Sequence, residues 1–468
     1  MQSASPALPD TTSVVVAGAG LSGLAAALAA AEQGVDVLLL EKAREPGGSF
    51  ALAGGYIWTF ASHEDYAREV PEGDAELGGL VVEDLDAGIE FLLAHGVRLG
   101  PEVISKDGLR GHRVEPDPVS AGVLPLARAL EDVGGRLVCS STIDSLRFDD
   151  RGKVSGVTVS EAGGTRTVHA QAVVLATGGF QGNLEMMTRY ISRDADRFIL
   201  RAAPTSVGDG LRLALDAGAA VSSGLASFYG HLMPAPPAKI EPGAFRRLSQ
   251  FYSYHTIAIN RDGRRFADES LGDNHVALRL AREPGATAFL VFDSRNHRDQ
   301  VSQPFVNDAV AVDPLIGVRE VGGVVVEADS LETLAKQLAD GWRLSRHRTE
   351  QTFAAYAAAA DAGSDAGLDV PRSGNLHLLR EPPFFAVPVR PGITFTGGGV
   401  RVGRECQARH LDGHVIPGLY VAGADVGGIS VEGYAGGLAA ALTTGLRAGV
   451  HAALYADYAL DRSKAVQA

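Results

Sequence analysis

Residues 14–41 constrain the fold more than any other stretch of the chain. They read Val-Val-Val-Ala-Gly-Ala-Gly-Leu-Ser-Gly, then an Ala/Leu-rich run, then Val-Asp-Val-Leu-Leu-Leu-Glu. The pattern spells a strand, a glycine turn, a helix and a second strand that ends in an acid. Gly18 allows the tight turn. Gly20 lets the backbone approach a pyrophosphate, and Gly23 lets the helix pack on the strand, with the helix N-terminus facing the anion. Glu41 follows the glycines by about 20 residues, where a carboxylate can bind a ribose hydroxyl. These residues predict a βαβ unit that holds a dinucleotide.

Two later segments say which dinucleotide. Val173-Val-Leu-Ala-Thr-Gly-Gly-Phe180 is a buried apolar strand running into a glycine pair, and Ile416-Pro-Gly-Leu-Tyr-Val-Ala-Gly-Ala-Asp425 is another, ending in an acid. A nicotinamide domain usually occupies one contiguous block. Here the nucleotide-binding pieces lie at the start, middle and end, so one fold is interrupted by insertions. On these residues the chain resembles the flavoprotein family of fumarate reductase, succinate dehydrogenase flavoprotein and 3-ketosteroid dehydrogenases. The matching segments are GAGLSG, EKAREPGGSFALAGG, ATGGFQGN, SVGDGLRLALDAGA, GRRFADE, PPFFAVPV, GITFTGGGV and PGLYVAGAD with GYAGGLAAAL, in the family's order over most of the chain. The resemblance implies FAD as cofactor. It also implies an α/β fold, a Rossmann-like FAD-binding domain of the glutathione-reductase type interrupted by an inserted α+β cap.

Composition agrees. At 468 residues two domains are the natural expectation, and 46% hydrophobic residues can fill a large core. A net charge of −14 argues against nucleic acid, which attracts basic surfaces. Cys139 and Cys406 are far apart and form neither a CxxC pair nor a metal spacing, so they read as structural thiols, no metal is expected, and the cytoplasm is the natural compartment. Residues 1–12 read as a loose tail rather than a signal peptide, and no apolar run is long enough to cross a bilayer.

Alternating strand and helix continue through Leu124–Val133 (helix), Arg136–Ser140 (strand) and a hairpin from Ile143 to Val159 around Asp149-Asp150-Arg151-Gly152. From about Ser227 prolines and aromatics cluster and the rhythm is lost. The expected domains are 13–226 (FAD-binding, first part), 227–372 (inserted cap) and 373–458 (FAD-binding, last part). The cap would end in a helix at Thr352–Ala362, and the chain in a helix at Gly437–Tyr455. Arg264 and Arg265 read as pinning the cap to the flavin domain through Asp268 and Glu269.

The resemblance distributes the FAD contacts. Ser22 and Ser49 can donate to phosphate oxygens, and Gly48 lets its loop approach. Gly54 and Gly55 would lie near the isoalloxazine, Gly178 and Gly179 on its other side. Asp425 would hold the ribityl hydroxyls, where the family usually has Glu. The peptides of Gly437 and Leu438 open the last helix, whose positive end can stabilise charge on the reduced flavin. Leu21, Lys42, Ile143, Thr177, Asp209 and Gly423 complete the FAD-binding set. Some family members attach FAD through a histidine before the glycine pair. Residues 47–53, Gly-Gly-Ser-Phe-Ala-Leu-Ala, contain none, so FAD is expected to be non-covalent.

For the reaction, the resemblance implies hydride transfer between flavin N5 and a carbon beside an activated C–C or C=C bond. The family's dicarboxylate enzymes use a histidine and two arginines that are absent here. Thr394-Phe395-Thr396, Tyr434 and Leu271-Gly-Asp-Asn274 stand in those places. Losing such partners is prohibitive for a small dicarboxylate. Tyr434 matches the ketone-binding tyrosine of ketosteroid dehydrogenases, with the Leu438 amide as second donor. Asp273 occupies the offset of that branch's tyrosine base, and Asp273, His275, His255 or His231 can serve as proton-transfer group. The expected enzyme is an FAD-dependent dehydrogenase or ene-reductase acting on a ketone, cyclic or steroid-like, with an unidentified electron acceptor or donor. A carboxylate-directed enzyme of tricarballylate or fumarate type, and a non-catalytic flavin electron carrier, are the alternatives.

Overall fold

The computed structural model describes residues 8–105, 108–303 and 313–467, the side chains of 460–467 excepted. Residues 1–7 of the expected tail lie outside this range. Thr11 and Thr12, read as tail, instead open the first strand, Thr11–Ala17.

The described chain forms two compact units. The first holds the described residues of Met1–Met186, Ala202–Phe228 and Phe395–Ala468. Its main sheet runs Gln407–Arg409, Val415–Val421, Gly164–Leu175, Thr11–Ala17, Val37–Leu40, Arg136–Val138. The strand Thr11–Ala17 pairs in parallel with Val37–Leu40 on one side and Gly164–Leu175 on the other, with Val14 opposite Val37 and Ala172. Val415–Val421 joins in parallel, Leu419 opposite Val173. The three segments read from sequence as one interrupted fold are therefore neighbours in one sheet. Their apolar runs are buried throughout, as a parallel sheet requires. The hairpin Thr142–Phe148/Val154–Glu161 continues from Gly164–Leu175 in antiparallel register.

The helix Leu21–Ala31 is buried along its whole length, which is why it is built of alanine and leucine with no polar face. The closing helix Gly437–Gln467 packs against it through glycines. A β-carbon on Gly445 would sit 2.5 Å from the Ser22 carbonyl oxygen, and one on Gly449 2.2 Å from that of Ala26. No helix among the described residues is long and apolar enough to cross a membrane.

The second unit comprises Met187–Arg201 and Tyr229–Thr394. Its mixed sheet centres on the long strand Phe384–Thr396, flanked by Ala288–Asp293 and Ile257–Asn260. Residues alternate between two apolar clusters: Leu290 and Phe292 pack with the helix Asp273–Leu280, while Phe289 and Val291 pack with Leu331–Trp342 and Arg346–Ala362. The strand from Phe384 pairs with Ala288–Asp293 and Val326–Ala328, so this unit runs to Thr394 and past the boundary of 372 expected from sequence. The sheet that this apolar run joins is set by partners distant in sequence.

Arg265 is buried against Glu269 at 2.6 Å, and Arg372 approaches the same carboxylate oxygen at 2.9 Å. Both pairs lie inside the second unit. They tie its own loops together and do not pin it to the flavin unit, correcting that part of the sequence reading. Cys139 and Cys406 are free, and burial pushes their thiols up to about 11 and about 12.

Candidate active site

In the first unit the three glycines of the turn divide their work sterically. Gly18 has φ +97°, and a β-carbon there would lie 2.4 Å from the Ala176 carbonyl oxygen. A β-carbon on Gly23 would lie 1.7 Å from the Gly18 oxygen, whereas one on Gly20 would meet nothing within 4 Å. The helix therefore starts at Leu21 on an open side, and no side chain caps its first amides. Uncapped amides at a helix start are suited to an anion.

Glu41 is buried, with its carboxylate accepting the Ala19 and Ala43 N–H groups, both at 2.7 Å. It thereby braces the glycine turn. Lys42 pairs with Asp209 at 2.8 Å. Gly48 abuts Gly20, with its virtual β-carbon 3.5 Å from the Gly20 Cα. Ser49 Oγ accepts the Ala203 N–H at 3.0 Å, and Arg113 donates to the Gly54 carbonyl at 3.1 Å. Gly55 accepts the Val114 N–H at 2.9 Å. Ser22 and Ile143 are buried, and Gly423 lies against the Ser22 hydroxyl.

Asp425 is buried and accepts the backbone N–H and the hydroxyl of Thr177. The Gly210 N–H in turn donates to Thr177 Oγ1 at 2.8 Å. Burial pushes the Asp425 carboxyl up to about 7, against the pull of the Thr177 hydrogen bonds and with help from the charge of Asp209. Beside Gly178 and Gly179, Thr396 Oγ1 and Gln181 Oε1 are buried without a hydrogen-bond partner. Buried polar atoms are rarely left so, and a polar-edged ring bound there would satisfy them. The open Gly20, the uncapped helix start and these two atoms fit an extended dinucleotide.

At the end of the unit, Tyr434 and Leu438 are half-buried and Gly437 begins the closing helix. The Trp58 indole N–H donates to Tyr434 Oη at 3.2 Å, and Thr59 Oγ1 donates to the Ala435 carbonyl at 2.7 Å. Phe395 stands beside this group, its ring centroid 6.5 Å from that of Tyr434. Sequence reasoning singled out Tyr434 and passed over its donor Trp58, although an indole N–H just after a glycine pair in an apolar strand needs a partner somewhere.

The second unit gathers some of the expected proton-transfer residues and separates others. His231 Nδ1 lies 2.6 Å from Asp273 Oδ2, and both residues are buried. Burial holds the His231 imidazole below its ordinary range; Asp273 pulls it back and Arg201 presses it further down. Tyr229 Oη is 2.8 Å from His231 Nε2. His255 faces His377 instead, and His275 is half-buried on the helix Asp273–Leu280. Arg201, a cation that no motif flagged, donates to Thr394 Oγ1 at 2.7 Å and Ser249 Oγ at 3.1 Å.

Sequence reading expected no metal. Among the described residues one group has ligand spacing, His410, Asp412 and His414. It lies on the turn before Val415–Val421, and both imidazoles face the Asp412 carboxylate.

Comparison with known proteins gives these features a common setting. The chain is 30% identical to a fumarate reductase (cytochrome) of Shewanella frigidimarina over 95% of its own length and 78% of the relative's. It is 26% identical to a 3-oxosteroid 1-dehydrogenase of Mycobacterium tuberculosis, covering 94% of this chain and 98% of that one. A solved 3-ketosteroid-Δ4-(5α)-dehydrogenase from Rhodococcus jostii superposes with a TM-score of 0.74 at 23% identity, over 95% of this chain and 97% of that one, which shows the shared fold. An FAD-binding-domain family model matches residues 13–439, and the chain belongs to that family of FAD-binding flavoproteins.

Proposed function

We propose that this FAD-dependent oxidoreductase of CH–CH groups acts on a carbonyl compound, by desaturation of a ketone or by the reverse ene reduction. When bound, FAD supplies the acceptor or donor of a hydride at N5. The chain's own residues hold and orient it. The amides from Gly20 to Ser22, with the loop of Gly48 and Ser49, take the pyrophosphate. Glu41 takes a ribose hydroxyl, and Asp425 the ribityl chain. Lys42, Ile143, Asp209 and Gly423 frame these contacts. Gly54, Gly55, Thr177, Gly178 and Gly179 line the ring system, with Gly437 and Leu438 at a helix start. No histidine stands where the family forms its covalent link, so the cofactor is non-covalent.

One observation carries the ketone reading: Trp58 donates to the Tyr434 oxygen at 3.2 Å. A phenol oxygen that accepts a hydrogen bond polarises its own O–H and becomes a stronger donor. Set toward a substrate carbonyl with the Leu438 amide, it stabilises the enolate formed when an α-proton leaves. The carboxylate-directed reading, with a fumarate- or tricarballylate-like substrate, is favoured by a different observation. Arg201 supplies a guanidinium in the second unit, held by Thr394 and Ser249. The electron partner is unassigned. The two free thiols support the cytoplasm as the compartment.

The test is anaerobic. Chemically reduced holoprotein is mixed with cyclohexenone, 4-androstene-3,17-dione, fumarate, acrylate, urocanate and a vinyl phenol, compounds drawn in part from the names of its relatives. Reoxidation by the ketones and not by the carboxylates supports the ketone reading. Reoxidation by the carboxylates alone selects the Arg201 reading, and none at all leaves an electron carrier.

A further inference from the structure

Three side chains with metal-ligating atoms meet on one hairpin of the first unit. The strands Gln407–Arg409 and Val415–Val421 run antiparallel, with Arg409 opposite Val415. His410 and His414 are the next residues out, and the His410 N–H donates to the His414 carbonyl at 2.8 Å. Leu411, Asp412 and Gly413 close the loop. Gly413 has φ +96°, and its N–H donates to the His410 carbonyl at 2.9 Å. A three-residue loop with a left-handed glycine fixes the register of such a hairpin. Residues directly opposite each other in an antiparallel pair put their side chains on one face. Both imidazoles therefore project to the same side, toward Asp412 at the tip.

The side chains converge as that register requires. His410 Nδ1 lies 3.0 Å from Asp412 Oδ1, and His414 Nδ1 approaches the same oxygen. One ligand atom from each of the three residues lies within 4.8 Å of the other two. The rings are stacked, with centroids 4.5 Å apart and planes at 23°. The His414 N–H donates to Asp412 Oδ1 at 3.2 Å and orients the carboxylate. His410 is held from behind. The Leu411 N–H donates to the Gly218 carbonyl at 3.0 Å, and a β-carbon on Gly218 would lie 2.6 Å from His410 Nε2. The glycine leaves room for the Nε2 edge of the ring and so turns the Nδ1 edge toward Asp412.

We propose that His410, Asp412 and His414 bind a divalent metal of the zinc class through the two Nδ1 atoms and a carboxylate oxygen. Two imidazoles and one carboxylate suit zinc and its neighbours, and they offer too few oxygens for calcium or magnesium. Little movement is needed. Zinc bonds of about 2.0–2.2 Å put tetrahedral ligand atoms roughly 3.4 Å apart, close to the spacing already present. Without metal, ring N–H groups satisfy the carboxylate. The cation takes their place, and each neutral ring carries its hydrogen on Nε2 instead. The long contact from the Asp412 N–H to His410 Nδ1, at 3.4 Å, is given up. Water completes the tetrahedron, since the side chains of Asp412 and His414 are 62% and 58% exposed. The ion joins both ends of the loop to its tip and acts as a clip on the hairpin that leads into Val415–Val421. It reverses the expectation of no metal, which rested on the spacing of the two cysteines.

The test uses tag-free holoprotein, stripped with EDTA and titrated with zinc chloride in competition with a chromogenic chelator. One zinc should bind per chain. At free zinc about 100 times the dissociation constant, the apparent unfolding constant should fall about 100-fold and the melting temperature should rise. Asp412→Asn and His414→Ala each remove one ligand from an exposed position, so FAD content and the metal-free melting temperature should match the wild type. Each should weaken zinc by more than the roughly 10- to 100-fold that loss of an outer-shell partner costs. Cobalt in place of zinc should give the visible absorption of a tetrahedral site in the wild type and in neither variant. His347→Ala, at an exposed position of the helix Arg346–Ala362, should bind zinc as the wild type does. No stoichiometric zinc in the wild type, or wild-type affinity in Asp412→Asn and His414→Ala, would overturn the site.

Discussion

Trp58 and Tyr434 lie 376 positions apart in sequence, yet the indole N–H of the first donates to the phenol oxygen of the second at 3.2 Å. Removing the Tyr434 hydroxyl alone, as Tyr434→Phe, should lower the rate of flavin reoxidation by a ketone about 10²–10³-fold, the usual cost of losing one oxyanion donor. FAD content should stay at the wild-type level. Trp58→Phe keeps a ring but loses the N–H, and with it roughly 0.5–1.5 kcal/mol of hydrogen bonding, so a loss of about 2- to 10-fold is expected. Stopped-flow absorbance of both variants checks the ordering. A wild-type rate for Tyr434→Phe would return the advantage to carboxylate chemistry.

Gly20 and Gly23 make opposite predictions from one motif. Gly23→Ala would force a β-carbon to within 1.7 Å of the Gly18 oxygen, so the FAD-free protein should lose several kcal/mol or fail to fold. Gly20→Ala meets no protein atom within 4 Å and its backbone is extended, so stability should change by less than about 0.5 kcal/mol. FAD affinity should nevertheless fall at least about 10-fold, because the new methyl group occupies the face left open to the pyrophosphate. Urea unfolding and flavin fluorescence titration separate the two effects.

Glu41→Ala should weaken FAD and also loosen the turn, since its carboxylate holds the Ala19 and Ala43 amides. Each hydrogen bond to a charged group is worth roughly 1.5–3 kcal/mol, so FAD affinity should drop by about 10- to 100-fold. The rate of the chemical step in the remaining holoprotein should hardly move. Unchanged affinity would remove Glu41 from the binding set.

Asp425 gives a pH dependence with a defined sign. In the FAD-free protein its carboxyl titrates near about 7, well above the ordinary 3.8 that it regains on unfolding. Between about pH 4 and pH 7 the native state therefore holds more protons than the unfolded one, and this group's contribution to stability falls as pH rises. Asp425→Asn removes the titration. Its stability should decline less than the wild type's across that window, measured by thermal unfolding at a series of pH values. Parallel curves would show that the carboxyl ionises normally.

Much of the nucleotide fold was legible because its signals are local. Apolar runs such as Val173–Leu175, glycines at fixed offsets and the acid at 41 announce a βαβ unit without knowledge of distant partners. Tyr434 was legible by its place before a glycine pair. Trp58, Tyr229 and Arg201 were not, since each acquires meaning only from a neighbour that folding brings to it. Among the candidate bases sequence had no way to choose. The geometry joins His231 to Asp273 and turns His255 toward His377. The second unit's extent past 372 was not legible for the same reason, because the sheet of Phe384–Thr396 is set by Ala288–Asp293.

The order of strands in the main sheet has a consequence for how the chain is made. Thr11–Ala17, at the head of the cofactor turn, is hydrogen-bonded to Gly164–Leu175, which is bonded to Val415–Val421. The helix after the turn is covered by Gly437–Gln467. During synthesis Thr11–Ala17 and Leu21–Ala31 must wait for Val415–Val421 and Gly437–Gln467 before their sheet and helix are covered. Contacts of such high sequence separation make for slow folding and long exposure of apolar surface. The cofactor turn is thus left open to solvent until Gly437–Gln467 has been made, and FAD is expected to be captured only after that.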